Sequence, residues 1–206
     1  MSSVTEQSFR RDIRDHALTV RLDNGVHRHL QFRKPGTSCC GFDIVTWPGY
    51  LAFSGDMGSF VFQRLEDMLK FFRQDVAPTA ALRINLPYWA EKLEAADRFS
   101  GFQKYSEQKF RQRIASWLDD VAASKKLRAA VNAEVLAFDC SDERTVRERV
   151  DAFEHGGFQF SDFWECHLDE YTPRFIWCCY ALVWGIQQYD AAIAAASSVL
   201  VEAATC

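Results

Sequence analysis

From residue 17 the chain alternates apolar and polar positions. Leu18, Val20 and Leu22 fall on one face of an extended segment, Thr19 and Arg21 on the other. Asp23-Asn24-Gly25 follows, and Asn-Gly marks a hairpin because both residues tolerate positive φ. The return run, 26–33, sets Leu30 and Phe32 against His27, His29 and Gln31. A third run, 42–47, is β-branched and aromatic and leads into Trp47-Pro48-Gly49-Tyr50. Pro and Gly occupy the two central positions there, as a type II turn requires. Residues 50–54 return as the fourth strand of an antiparallel meander.

The period then changes. Ser59 is placed to cap a helix from residue 60, with Phe62, Leu65, Met68, Leu69 and Phe72 as one apolar stripe over the sheet. Pro78 and Pro87 make 75–88 a connector, and a short helix is predicted over 88–98. Ser106 caps a helix carrying Phe110, Ile114, Trp117, Leu118 and Val121 on one face. Another helix holds Leu127, Val131, Val135 and Phe138, and Ser141 starts a charged one that ends at Gly156-Gly157. An apolar helix over 174–190 precedes an Ala-rich tail expected to fray. The pattern predicts a single α+β domain: sheet plus helix over 1–75, helices over 76–190, and a tail over 191–206. No internal repeat or low-complexity linker interrupts it.

Composition adds one unusual feature. Hydrophobic residues make up 48% and charged residues 25%, as in ordinary globular chains, but seventeen Phe, six Trp and six Tyr supply much flat apolar surface. A net charge of −4 and no basic stripe argue against nucleic acid as the partner. The most apolar run, 175–186, is shorter than the roughly 20 residues that span a bilayer. Seven cysteines, in an odd count with two adjacent pairs, and a start without a signal-peptide pattern predict free thiols in a reducing cytoplasm.

Candidate chemistry is sparse. Gly55-Asp56-Met57-Gly58-Ser59, read as a strand-to-helix turn, could hold an anion at a helix N-terminus with Arg64 or Arg73 meeting a phosphate. It lacks the Lys of a P-loop, and a tight capped turn explains it as well. His27 and His29 share a strand face at metal-ligand spacing, without an evident third ligand. Cys166, His167 and Glu170 lie close together in a segment that also reads as a helix end. Cys39 and Cys40 would gain reactivity from Lys34 or Arg33, whereas Cys178 and Cys179 read as small core residues. Glu165, Asp169 and Glu170 cluster near Trp164 and His167, suited to acid–base work in a pocket or to a solvated rim. No cofactor motif is present.

Two segments carry a resemblance. The first is Arg28-His29-Leu30-Gln31-Phe32-Arg33, then Gly41-Phe42-Asp43-Ile44-Val45-Thr46-Trp47-Pro48-Gly49-Tyr50, Ser54-Gly55-Asp56-Met57-Gly58 and Val61-Phe62-Gln63-Arg64-Leu65-Glu66-Asp67-Met68. The second is Phe158-Gln159-Phe160-Ser161-Asp162-Phe163-Trp164-Glu165, with Phe175-Ile176-Trp177-Cys178-Cys179-Tyr180-Ala181 and Trp184-Gly185-Ile186. Together they resemble a widespread family of tailed-bacteriophage and prophage proteins for which no catalytic residue is established. The resemblance runs through most of residues 8–190 and implies a non-structural product acting in the cytoplasm of an infected bacterium. Such products commonly inhibit a defence system by occluding a protein effector or sequestering a nucleotide signal. The implied function is a non-enzymatic inhibitor that binds a bacterial host or defence protein. Its aromatic-rich surface would include Trp47, Tyr50, Asp56, Arg64, Trp89, Trp164, Glu165 and Trp177. A nucleotide binder, a metal-dependent or acid–base enzyme, a virion component and a homodimer are the competing expectations.

Overall fold

The apolar alternation does build a sheet, and it extends further than the sequence predicts. A computed structural model describes residues 4–74 and 81–204. It is α+β, with two compact units: one comprises the chain up to Phe102 together with the chain from Tyr171, the other Gln103–Glu170.

In the first unit a six-stranded antiparallel sheet follows sequence order. Its strands are β1 (Ala17–Asn24), β2 (His27–Arg33), β3 (Phe42–Trp47), β4 (Tyr50–Gly55), β5 (Gly58–Gln63) and β6 (Leu93–Ala95). The first turn places Gly25 at φ +62 as the first of two central residues, and the β3–β4 turn has Gly49 at φ +84 after Pro48, as predicted. The four-strand expectation is corrected by β5 and β6. Phe60 and Phe62 alternate with exposed Ser59 and Gln63 and pair with Phe53 and Leu51 of β4. Strand pairing thus takes Phe62 out of the predicted helical stripe, of which Met68, Leu69 and Phe72 do lie buried on a helix and Leu65 is exposed. Ser59 caps nothing. The helix that follows, α2 (Met68–Phe72), is capped by Asp67.

Other boundaries moved for local reasons. Leu18 packs on the core, but Val20 and Leu22 on the same edge strand remain 41% and 49% exposed, and an irregularity between them sets Leu22 opposite His29. Pro87 lies in the first turn of α3 (Leu86–Ala90), where a missing N–H costs nothing, and the chain then enters β6 instead of continuing as helix to residue 98. Residues 75–80 of the expected connector lie outside the described residues. A helix not predicted, α1 (Glu6–Asp12), is held by a reciprocal cap between Thr5 and Ser8.

One face of the sheet is buried by α7 (Pro173–Ala204), with α1 and α2 beside it. Through Phe175, Trp177, Cys178, Cys179, Ala181, Leu182, Val183, Trp184 and Ile186 the helix meets Phe32, Phe42, Ile44 and Phe60. Each fully buried Phe contributes about 2 kcal/mol of apolar transfer. The helix does not stop at residue 190 but continues to Ala204, with exposed side chains over 191–198.

The second unit packs α4 (Glu107–Asp120), α5 (Lys125–Val131) and α6 (Glu143–Ala152) around Phe110, Ile114, Val135, Val146, Val150 and Phe163. Ser106 caps α4 as predicted; Asp142 and not Ser141 caps α6. Gly156 and Gly157 lie beyond the helix, at φ +59 and +81, in the turn between the bridged His155 and Phe158. Short strands β7 (Gln103–Tyr105) and β8 (Asp169–Tyr171) pair with each other.

Candidate functional site

The turn between β3 and β4 dictates the geometry of its flanking residues. Trp47 and Tyr50 are cross-strand partners, and side chains on such a pair stand on one face. Their rings stack with centroids 5.3 Å apart and planes 12° from parallel. Both rings are half-exposed. Gln63 Nε2 donates to the Tyr50 hydroxyl at 2.8 Å, and Arg64 N–H donates to the Gly49 carbonyl at 3.2 Å. Glu66 O accepts from Gly49 N–H at 3.1 Å, so the turn is tied to the segment after β5 on both sides. A shallow cleft of about 290 Å³ adjoins it, lined by Gly49, Gln63, Arg64, Glu91, Lys92 and Glu94. Trp47 and Tyr50 thus form an aromatic plate at this tip, and Arg64, an exposed residue, is tied to the same turn through its backbone N–H on Gly49.

The other sequence-predicted residues lie elsewhere. Trp89 and Trp177 are core, not surface: they are 6% and 1% exposed, Trp89 meeting Phe72 edge-on and Trp177 donating from Nε1 to Asp12 Oδ2 at 3.1 Å. Trp164, in the second unit, is half-exposed, with Arg147 4.1 Å above its ring and Asp151 accepting from Nε1 at 2.8 Å. Glu165 beside it is exposed. The supposed carboxylate cluster is divided. Asp169 and His167 share a cleft of about 190 Å³ with Glu143, Arg147, Trp164 and Cys166, whereas Glu170 is held by Ser106 Oγ at 3.1 Å and Lys104 at 3.3 Å. Glu165 does not line that cleft.

The anion turn is not formed as predicted. Asp56 and Met57 are the two central residues of a β4–β5 hairpin, so no helix begins there. Arg73, assigned to a phosphate, makes a bidentate pair with Asp190 at 2.8 Å through both nitrogens. His27 is exposed, and His29 Nε2 stands 3.5 Å from Asp43. Lys34 and Arg33, proposed to activate Cys39 and Cys40, are paired with Asp15 at 2.8 Å and Asp43 at 3.1 Å. Burial, reinforced by Cys39, instead pushes the Cys40 thiol up to about 12. Burial likewise holds Cys178 and Cys179 well above the ordinary thiol value, as core residues.

Comparison with protein-family models, curated proteins and solved structures finds no match for the chain. What the surface can do therefore rests on its own geometry.

Proposed function

We propose that the protein acts by binding another protein through the tip formed by Trp47, Tyr50 and Arg64. The observation that carries this reading is the half-exposed Trp47–Tyr50 stack, held by a Pro-Gly turn and by Gln63. Trp, Tyr and Arg are the residue types that dominate binding energy at interfaces. A plate already fixed by stacking and hydrogen bonding loses little rotamer freedom on contact, which favours affinity. The resemblance to phage proteins supports a bacterial host or defence factor as the partner, with occlusion and not chemistry as the mode of action.

The test is affinity capture of the tagged chain from bacteria carrying defence systems, read by mass spectrometry and by phage plating on the same host. One stoichiometric host protein is expected with the natural chain. The double variant Trp47→Ala, Arg64→Ala should lose it together with any protection of the phage. A folded double variant that keeps full partner binding and full inhibition would overturn the assignment to this tip, and a chain that captures nothing would overturn the binding reading itself.

A further inference from the structure

Cys39 and Cys40 lie in the loop between β2 and β3, and Asp56 lies in the turn between β4 and β5. The fold brings them together by a close approach of backbone to backbone. Asp56 N–H donates to the Gly41 carbonyl at 3.0 Å, and Cys40 N–H donates to Asp56 Oδ2 at 2.9 Å. One potential ligand atom from each of Cys39, Cys40 and Asp56 lies within 4.8 Å of the other two.

The sulfur separation is the informative distance. Cys39 Sγ and Cys40 Sγ are 3.9 Å apart. A disulfide needs about 2.05 Å, so the pair is far from a covalent bond. Two thiolates on one tetrahedral zinc, each about 2.3 Å from it, stand about 3.8 Å apart. Two adjacent cysteines do not reach that spacing by default. Here Cys40 sits at φ +53, a left-handed conformation that is strained for a non-glycine residue. The loop is braced around it: Cys39 N–H donates to Thr37 Oγ1 at 3.1 Å, Gly41 N–H to Ser38 O at 2.9 Å, and His16 Nε2 lies 3.1 Å from the Cys40 carbonyl. The Asp56 backbone is held in addition by Arg174 Nη1, which donates to its carbonyl at 3.0 Å.

We infer that Cys39, Cys40 and Asp56 form a binding site for a zinc-type divalent cation. Two sulfurs and one carboxylate oxygen suit a borderline-soft ion and disfavour magnesium or calcium, which require oxygen ligands throughout. Thiol protons leave to solvent as the sulfurs take the ion. Cys39 and Asp56 are exposed and Cys40 is half-buried, so the site opens outward. Its fourth position falls to water or to an atom of another molecule. His16, through the Cys40 carbonyl, is a positioning residue and not a ligand. Neither the sites expected at His27 and His29 nor the tip at Trp47 shares a residue with this one.

The full-length chain, reduced and metal-free, would be titrated with cobalt(II) and then zinc(II). One cobalt per chain is expected, with the intense thiolate-to-cobalt charge-transfer absorption of a tetrahedral sulfur site, displaced by equimolar zinc. Cys39→Ser and Cys40→Ser should each abolish it, and Asp56→Asn should weaken binding about tenfold or more. Cys166→Ser, in the second unit, should leave it unchanged. Circular dichroism establishes that each variant is folded; because Cys39 is exposed, Cys39→Ser carries the test if Cys40→Ser does not fold. A folded, reduced natural chain without the absorption, or absorption that persists in folded Cys39→Ser, would overturn the site.

Discussion

Asp67 grips the guanidinium of Arg28 through both carboxylate oxygens, at 2.9 and 3.2 Å, while the same Oδ1 accepts from Leu69 N–H at 3.1 Å and caps α2. The two side chains are only 12% and 13% exposed. Arg28 also lies 3.7 Å from Asp23 and 5.9 Å from the centre of the Tyr189 ring, and Tyr189 Oη donates to Asp23 at 2.8 Å. One buried cation therefore ties β1, β2, α2 and α7 together. Burial alone would lower the Arg28 pKa, but the bonds from Asp67 and Tyr189 outweigh it and raise the net value.

Removing Asp67 leaves the Arg28 guanidinium largely desolvated, with Asp23 at 3.7 Å as its remaining carboxylate. Asp67→Asn keeps a cap acceptor for α2 but breaks the pair, and should cost about 3 kcal/mol. Asp67→Ala should cost roughly 1 kcal/mol more through the lost cap. Urea unfolding of the two variants separates these contributions; equal losses would mean that the cap adds nothing.

Gly55 cannot carry a side chain. A Cβ there would lie 2.3 Å from the Gly41 carbonyl and 2.8 Å from Phe42 Cα, both backbone atoms that cannot rotate away. Gly55→Ala should destabilise the protein by about 3 kcal/mol, at the upper end of overpacking costs. Because this approach also seats Asp56 beside Cys40, the variant should lose cobalt binding under conditions where it remains folded. Thermal unfolding and the cobalt titration measure the two effects separately.

The tryptophans should divide cleanly by location. Trp89→Ala empties a core position against Phe72 and should cost about 3–5 kcal/mol. Trp47→Ala removes a half-exposed ring and should cost about 1 kcal/mol or less while losing the partner. Chemical denaturation of both variants checks the contrast, and a large loss at Trp47 would make it a structural residue.

Acid should loosen the second unit at α6. Asp142 Oδ2 accepts from Thr145 Oγ1 at 2.6 Å and from Thr145 N–H at 2.8 Å, and these bonds lower its carboxyl pKa from 3.8. A folded pKa below the unfolded one means stabilisation that is present above about 3.9 and lost as pH falls through the folded value. Helical circular dichroism between pH 5 and about 2 should show an acid loss that Asp142→Asn, which keeps an acceptor but cannot titrate, reduces. An identical acid limb in Asp142→Asn would assign the loss to other carboxylates.

Much of the fold was legible because it depends on neighbours in sequence. The Pro48-Gly49 turn, the Ser106 cap, the alternation of β2 and β3 and the apolar run of α7 are local chemistry, and each forms where its residues predict. The first hairpin turn forms one residue late, on Gly25 and Val26 and not on Asn24 and Gly25. The same is true of Trp47 beside Tyr50, which any Pro-Gly turn of this kind makes partners.

Tertiary structure decided what local pattern leaves degenerate. Phe60 and Phe62, two apart, share a strand face and not a helix face, but Phe62 also stands at helical spacing from Leu65 and Leu69. Pairing with the open edge of β4, whose backbone groups need partners, assigns it to β5. Trp89 and Trp177 look like Trp47 in sequence; only the surrounding core makes them inaccessible. Asp56 stands 16 positions from Cys40 and Asp67 stands 39 from Arg28, so no periodicity links them. Such pairs exist only after the sheet has fixed which loops and strand ends meet, because their contact energy is gained once chain entropy has been spent on closing the intervening segment.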